Sequence, residues 1–207
     1  SGTTSPRRLI GGNPLPGDTL GPLQSVNSTF FNIGKQSVNG VDVSGYYALD
    51  VMGGTLAFSL DYSRLLEFQR EELNSDGTKM VKRDLTGEYE YPEDRFVAGI
   101  DWRMDTWGAT ANINYVGSFE DQPDFDFDGV LDYDQYHTRK VGSFTTVNLQ
   151  ARYTGFEGLV LSLGIDNALN ERPPFAIGDG DTDLYGYVAS QHDPRGRFVY
   201  GKVQYKF

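Results

Sequence analysis

Residues 95–116 read Arg95-Phe96-Val97-Ala98-Gly99-Ile100-Asp101-Trp102-Arg103-Met104-Asp105-Thr106-Trp107-Gly108-Ala109-Thr110-Ala111-Asn112-Ile113-Asn114-Tyr115-Val116. Successive side chains of a strand point to opposite faces, so a period of two sorts this stretch into two sets. Phe96, Ala98, Ile100, Trp102 and Met104 share one face, opposed by Arg95, Val97, Gly99, Asp101 and Arg103. Past Asp105–Thr106, Trp107, Ala109, Ala111, Ile113 and Tyr115 share a face, opposed by Gly108, Thr110, Asn112 and Asn114. Each strand therefore has one apolar side and one side carrying charge, amide or hydroxyl.

The same alternation spreads outward in both directions. In 54–63, Leu56, Phe58, Leu60 and Tyr62 oppose Thr55, Ala57, Ser59 and Asp61. Runs at 145–153, 159–166 and 197–207 repeat the pattern, and weaker runs occur at 23–33 and 38–49. Eight strands follow, each about as long as the 9–11 residues a tilted strand needs to cross a bilayer. Their connections alternate: Asp50–Gly54, Asp105–Thr106 and Thr154–Gly158 are short, whereas 69–93, 119–143 and 167–195 are long and polar. Short turns at one end and long loops at the other are the layout of an outer-membrane barrel, with the long loops outside the cell. Residues 1–22, rich in Gly and Pro, carry no period and read as loop or linker.

Composition agrees with an all-β chain. The 207 residues include 25 Gly, 13 Tyr and 13 Phe, a mix that suits strands, turns and amphipathic rings. Eighteen basic against 29 acidic residues, net charge −11, argues against nucleic acid as a partner. With no cysteine, disulfides and thiolate metal sites are excluded. No apolar run is long enough for a transmembrane helix, and the first residues do not read as a signal peptide. A soluble β-sandwich also alternates, but it cannot hide this many Arg, Asp, Asn and Gln in a closed core. Tyr62, Trp102, Trp107, Tyr115, Tyr153, Tyr205 and Phe207 fall near strand ends on the apolar face, the girdle positions of a lipid boundary.

The chemistry-bearing features lie in the loops. Asp124, Asp126, Asp128 and Asp132 follow a spacing that brings alternate carboxylates round Ca²⁺, with Gly129 allowing the sharp turn. Position 135 is Gln, not the bidentate Glu of an EF-hand, so a solvated acidic loop over 124–134 is the competing expectation. His137 and His192 are expected to be surface polar residues. No nucleophile elbow or phosphate-binding loop occurs, so no enzyme is expected.

Four segments resemble TonB-dependent receptors. They are Asn32-Ile33-Gly34-Lys35 with Gly40-Val41-Asp42; Val141-Gly142-Ser143-Phe144-Thr145-Thr146-Val147-Asn148-Leu149; Gly164-Ile165-Asp166-Asn167-Ala168-Leu169-Asn170-Glu171-Arg172-Pro173-Pro174; and Asp193-Pro194-Arg195-Gly196-Arg197-Phe198 through Phe207. Ala168-Leu169 stands where the family has Leu-Phe. The resemblance implies a transmembrane antiparallel β-barrel of 22 strands, of which 23–207 forms about the last eight, with a plug domain absent from this chain. It implies a nutrient importer in the outer membrane of a Gram-negative bacterium, leaning to an oligosaccharide over a ferric siderophore. Its implied partners are the rest of the barrel and plug, the TonB complex, the lipid bilayer and the barrel-assembly machinery, which reads Val203, Tyr205 and Phe207. Loop aromatics Tyr133, Tyr136, Phe175, Tyr185 and Tyr187 are the candidate substrate contacts, because flat rings stack on sugars and also pack on chelates. A self-contained eight-stranded barrel with a structural or adhesive role stays open.

Overall fold

A computed structural model of the chain describes residues 34–51, 53–73, 79–121, 140–176 and 186–206. All belong to one unit, Gly34–Phe207; Ser1–Ile33, including the expected strand 23–33 and the loop 1–22, lies outside the described residues. Among the described residues ten strands occur in chain order: β1 (Gln36–Val51), β2 (Gly54–Leu73), β3 (Met80–Asp84), β4 (Asp94–Met104), β5 (Trp107–Val116), β6 (Phe119–Glu120), β7 (Lys140–Val141), β8 (Phe144–Phe156), β9 (Leu159–Asp166) and β10 (Phe198–Tyr205). Seven form one antiparallel sheet in the order β1-β2-β4-β5-β8-β9-β10, with β3 added to the far end of β2. β6 and β7 make a separate two-stranded ribbon. Among the described residues the sheet is open, since β1 and β10 are not paired with each other.

Strands next to each other in sequence are next to each other in the sheet because their turns are tight. Asp105 and Thr106 alone join β4 to β5, and Asp105 adopts φ 48, a left-handed conformation that Asp tolerates. Gly53 (φ 74) and Gly158 (φ 68) serve the other two short turns, β1–β2 and β8–β9.

Register then carries the two faces across the whole sheet. One apolar row runs Tyr47, Phe58, Ile100, Ala111, Leu149, Ile165 and Val199. A one-residue slip in any pair would turn that strand inside out, so agreement across all six pairings fixes the register. Among the described residues no second layer covers these side chains: Ile100 is 45% exposed and Leu163 60%. Aromatics bound the apolar band. Tyr62, Phe96 and Tyr115 mark its long-loop end; Trp102, Trp107, Tyr153 and Tyr205 mark the short-turn end. From Tyr115 to Trp107 the chain runs eight residues, about 27 Å along a strand. A tilt of about 40° leaves roughly 21 Å of thickness, close to the apolar band of such barrels.

Two expectations change. The long segment 69–93 is not all loop: β2 runs on to Leu73 and pairs with β3 as a hairpin projecting beyond the band. Arg70 clips its base, lying over the Phe68 and Tyr91 rings at 5.3 and 5.8 Å and donating to the Tyr91 hydroxyl at 2.8 Å. The segment 119–143 likewise contains the β6–β7 ribbon.

Candidate functional site

The opposite, wet face is built from the other half of the alternation. Asp61, Arg95, Asp101, Arg103, Asn112, Asn114, Asn148, Gln150 and Arg152 all share it, as the register requires. Neighbours pair across strands: Ser44 Oγ donates to Asp61 at 2.7 Å, Thr110 Oγ1 to Asp101 at 2.9 Å, and Gln150 Nε2 to the Tyr200 hydroxyl at 3.1 Å. Gly99 permits the close approach at the centre. A Cβ there would stand 2.6 Å from Ser59 Oγ and 2.9 Å from Asn112 Oδ1.

Among the described residues, the buried apolar side chains that cluster together lie in the connections at one end of the sheet. Tyr89, Phe119, Val141, Ala176 and Val188 form one cluster, drawing a residue from each of five segments that converge at the long-loop end. Backbone bonds tie these segments together, Glu120 N–H to Gly87 O at 2.7 Å and Ala176 N–H to Gly186 O at 3.0 Å. Side chains extend the ties. Ser190 Oγ donates to Glu90 Oε1 at 3.0 Å, Gln191 Nε2 to Glu90 O at 2.9 Å, and the Arg95 guanidinium to Gln191 Oε1. These three connections therefore act as one cap with its own core.

His192 sits inside this cap, contrary to the surface position expected from its sequence context. It is 3% exposed, stacked on Phe119 at 5.9 Å and edge-on to Phe144 at 5.2 Å. Neither ring nitrogen has a hydrogen-bond partner among the described residues. Burial, helped by the positive charge of Arg95, pushes its pKa down to about 4, so the ring is neutral near pH 7. The rings that bury it come from β6 and the start of β8, far from His192 in sequence, which is why local reading missed it.

The turn after β9 anchors the segment that leads into β10. Asn167 takes φ 49 and is 5% exposed. Its side chain donates to Glu171 O at 2.8 Å and Arg195 O at 3.2 Å and accepts from Glu171 N–H at 2.9 Å; its own N–H donates to Asn148 Oδ1 at 2.9 Å. Beneath the segment lies a cavity of about 330 Å³, with a floor from β5, β8 and β9, a roof from Gln191 to Gly196, and Phe198 at its edge. Asn114, Asn148 and Asp166 offer polar groups, while Phe144 and Phe198 offer rings. Both phenylalanines lie on the wet face, interrupting its polar pattern, which is the sequence signal that could have located the cavity.

Among the expected substrate contacts, Phe175 is exposed and Tyr187 half-buried, both on the cap and neither lining the cavity. Tyr133, Tyr136 and Tyr185, the acidic residues Asp124, Asp126, Asp128 and Asp132, and Phe207 lie outside the described residues. Val203 and Tyr205 stand exposed on the apolar face of β10.

Residues 8–168 match the model of the family described as TonB dependent receptor-like, beta-barrel. No curated protein matches the chain. Among solved structures, the chain is similar to a mutant of the ferric enterobactin receptor from Pseudomonas aeruginosa, with 14% identity and a TM-score of 0.42. The match covers 81% of this chain and 31% of that one, so the chain spans less than a third of that receptor's length.

Proposed function

The chain belongs to the TonB-dependent receptor β-barrel family, and from that premise we propose that it forms part of the wall of an outer-membrane receptor importing a nutrient by TonB-driven active transport. The observation that carries the proposal is the apolar face, unbroken over seven paired strands, aromatic at both margins and uncovered by any second layer among the described residues. Such a face is stable against lipid and unstable in water. The wet face behind it then lines a lumen.

In this reading β1 and β10 pair with the remaining strands of the barrel, and a plug domain fills the lumen. The TonB complex acts through a segment outside this chain. The barrel-assembly machinery reads the alternate apolar residues Val203, Tyr205 and Phe207. The cap presents Phe175 and Tyr187, with Tyr133, Tyr136 and Tyr185, to arriving substrate, and Asp124, Asp126, Asp128 and Asp132 hold Ca²⁺ that stiffens the mouth. An oligosaccharide is favoured over a ferric siderophore because flat rings stack on sugar faces and the chain is strongly acidic, which repels an anionic chelate.

The test is uptake of labelled oligosaccharides and of radioactive iron chelates by cells lacking the gene and by complemented cells, with and without a protonophore. Uptake restored by the gene and abolished by the protonophore is expected. Restored uptake that ignores the protonophore removes the TonB-driven mechanism, and unchanged uptake of every substrate removes the import reading.

A further inference from the structure

We propose that the cavity under the 191–196 roof is a subsite for one uncharged, polyhydroxylated ring, the chemistry of a neutral sugar unit. The proposal rests on the import reading for its setting and deepens it by naming the residues that grip the ligand. At about 330 Å³ the cavity lies at the lower end of the range for ligand pockets. That space suits a single ring rather than a chelate folded round a metal ion.

The polar groups on the floor are of mixed type and partly unused. Asn148 accepts the Asn167 N–H through its carbonyl at 2.9 Å, which leaves its amide hydrogens for a ligand. Asn114 donates to Thr146 Oγ1 at 3.3 Å, which leaves its carbonyl. Asp166, half-buried at the end of β9, accepts no side-chain hydrogen bond among the described residues. A donor and an acceptor left open among the described residues, with a two-oxygen acceptor, therefore face one space. Hydroxyl groups both donate and accept, so a polyol satisfies all three. A purely apolar ligand would leave them dry, at the cost of unpaired buried polar groups.

Charge decides against an anion. Arg195 is the one cation among the described lining residues, and it is committed to Asp193 through Nε at 3.0 Å and Nη2 at 2.6 Å. The carboxylate of Asp166 also lies in the field of Arg195, which leaves two lining carboxylates against one guanidinium, so the cavity repels negative charge. Phe198 supplies the remaining element. It pairs with Asp166 across β9 and β10, is 55% exposed, and its ring stacks on Tyr200 at 6.2 Å, which holds it still. An aromatic face carries partial negative charge and suits the C–H face of a sugar ring.

The experiment measures direct binding to the full-length protein in detergent, using maltoheptaose, xylohexaose, mannohexaose and a fructo-oligosaccharide beside a ferric catecholate and a ferric hydroxamate chelate. At least one neutral glycan is expected to bind. Asp166→Ala and Phe198→Leu should each weaken that binding about tenfold or more, whereas Thr110→Ala, elsewhere on the wet face, should leave it unchanged. Phe198→Leu keeps apolar volume, so it reports on the ring even where Asp166→Ala assembles poorly. Binding of the chelates alone, of no probe, or of a glycan with equal strength in both variants overturns the proposal. Glycan binding lost in both variants but without energised uptake upholds the subsite and overturns import, while energised uptake of a chelate alone does the reverse.

Discussion

Acid should open the loop cap through His192, and the structure sets the size of the effect. In the closed cap the imidazole is shut between Phe119 and Phe144 with both nitrogens unpartnered. Burial first, and Arg95 second, lower its pKa from 6.5 to about 4. In an open cap the ring stands in water and titrates near its ordinary value. Between those two values the open state holds more protons, so closure weakens as pH falls through this window. The contribution of the neutral ring to closure is fully present above about pH 6.5 and is lost near pH 4. At about 1.36 kcal/mol per pH unit the loss is roughly 3 kcal/mol, on the order of a hundredfold in the opening equilibrium. Asp193 and Arg95 do not reproduce this window. Asp193 is held below the usual carboxylate range by hydrogen bonds from Arg195 and stays ionised, and Arg95 stays cationic. Glu90, which accepts from Ser190, is removed as a contributor by a Glu90→Gln control. The assay is hydrogen exchange of residues 186–192 in the full-length protein at about pH 7, 5.5 and 4.5, corrected for intrinsic rates. His192→Phe should fill the same space, remove two orphaned nitrogens and abolish the pH dependence. Unchanged protection at about pH 4.5 in the native protein, or the same loss in His192→Phe, refutes the reasoning.

Ile100→Lys, in the middle of the lipid-side band, should cost about 2–4 kcal/mol, whereas Thr110→Lys on the wet face should be tolerated; the heat-modifiable folded fraction on gels separates the two. Phe119→Ala removes a ring from the cap core at a cost of about 3–5 kcal/mol. Limited proteolysis should then cut 85–93 and 186–197 at the same rate, and cutting of only one would show that the cap is not a single unit. Asn167→Ala loses three side-chain hydrogen bonds worth about 1 kcal/mol each and a residue type that tolerates positive φ. Asn167→Gly should recover only the backbone share, as read from exchange of residues 167–172.

The strands, their faces and their tight turns were legible in the sequence. Seven of the eight expected strands recur in the sheet, because alternation follows from backbone geometry and each short turn forces its strands together. The continuation of β2 to Leu73 was not legible, since Arg70, Glu71 and Glu72 lie beyond the lipid band and no greasy face marks them. The apolar character of Phe144 and Phe198 was visible, but their meeting in a cavity was not.

What the sequence determined alone is therefore the wall: which side of each strand is greasy, which is wet, and where the chain reverses. Those properties reside in neighbours two residues apart. Only the tertiary structure decided the cap, the burial of His192 and the cavity below it. They depend on contacts such as Ser190 with Glu90 and Gln191 with Glu90, 100 and 101 residues apart. No local period encodes such pairs, because the loops meet only after the sheet has brought their ends together.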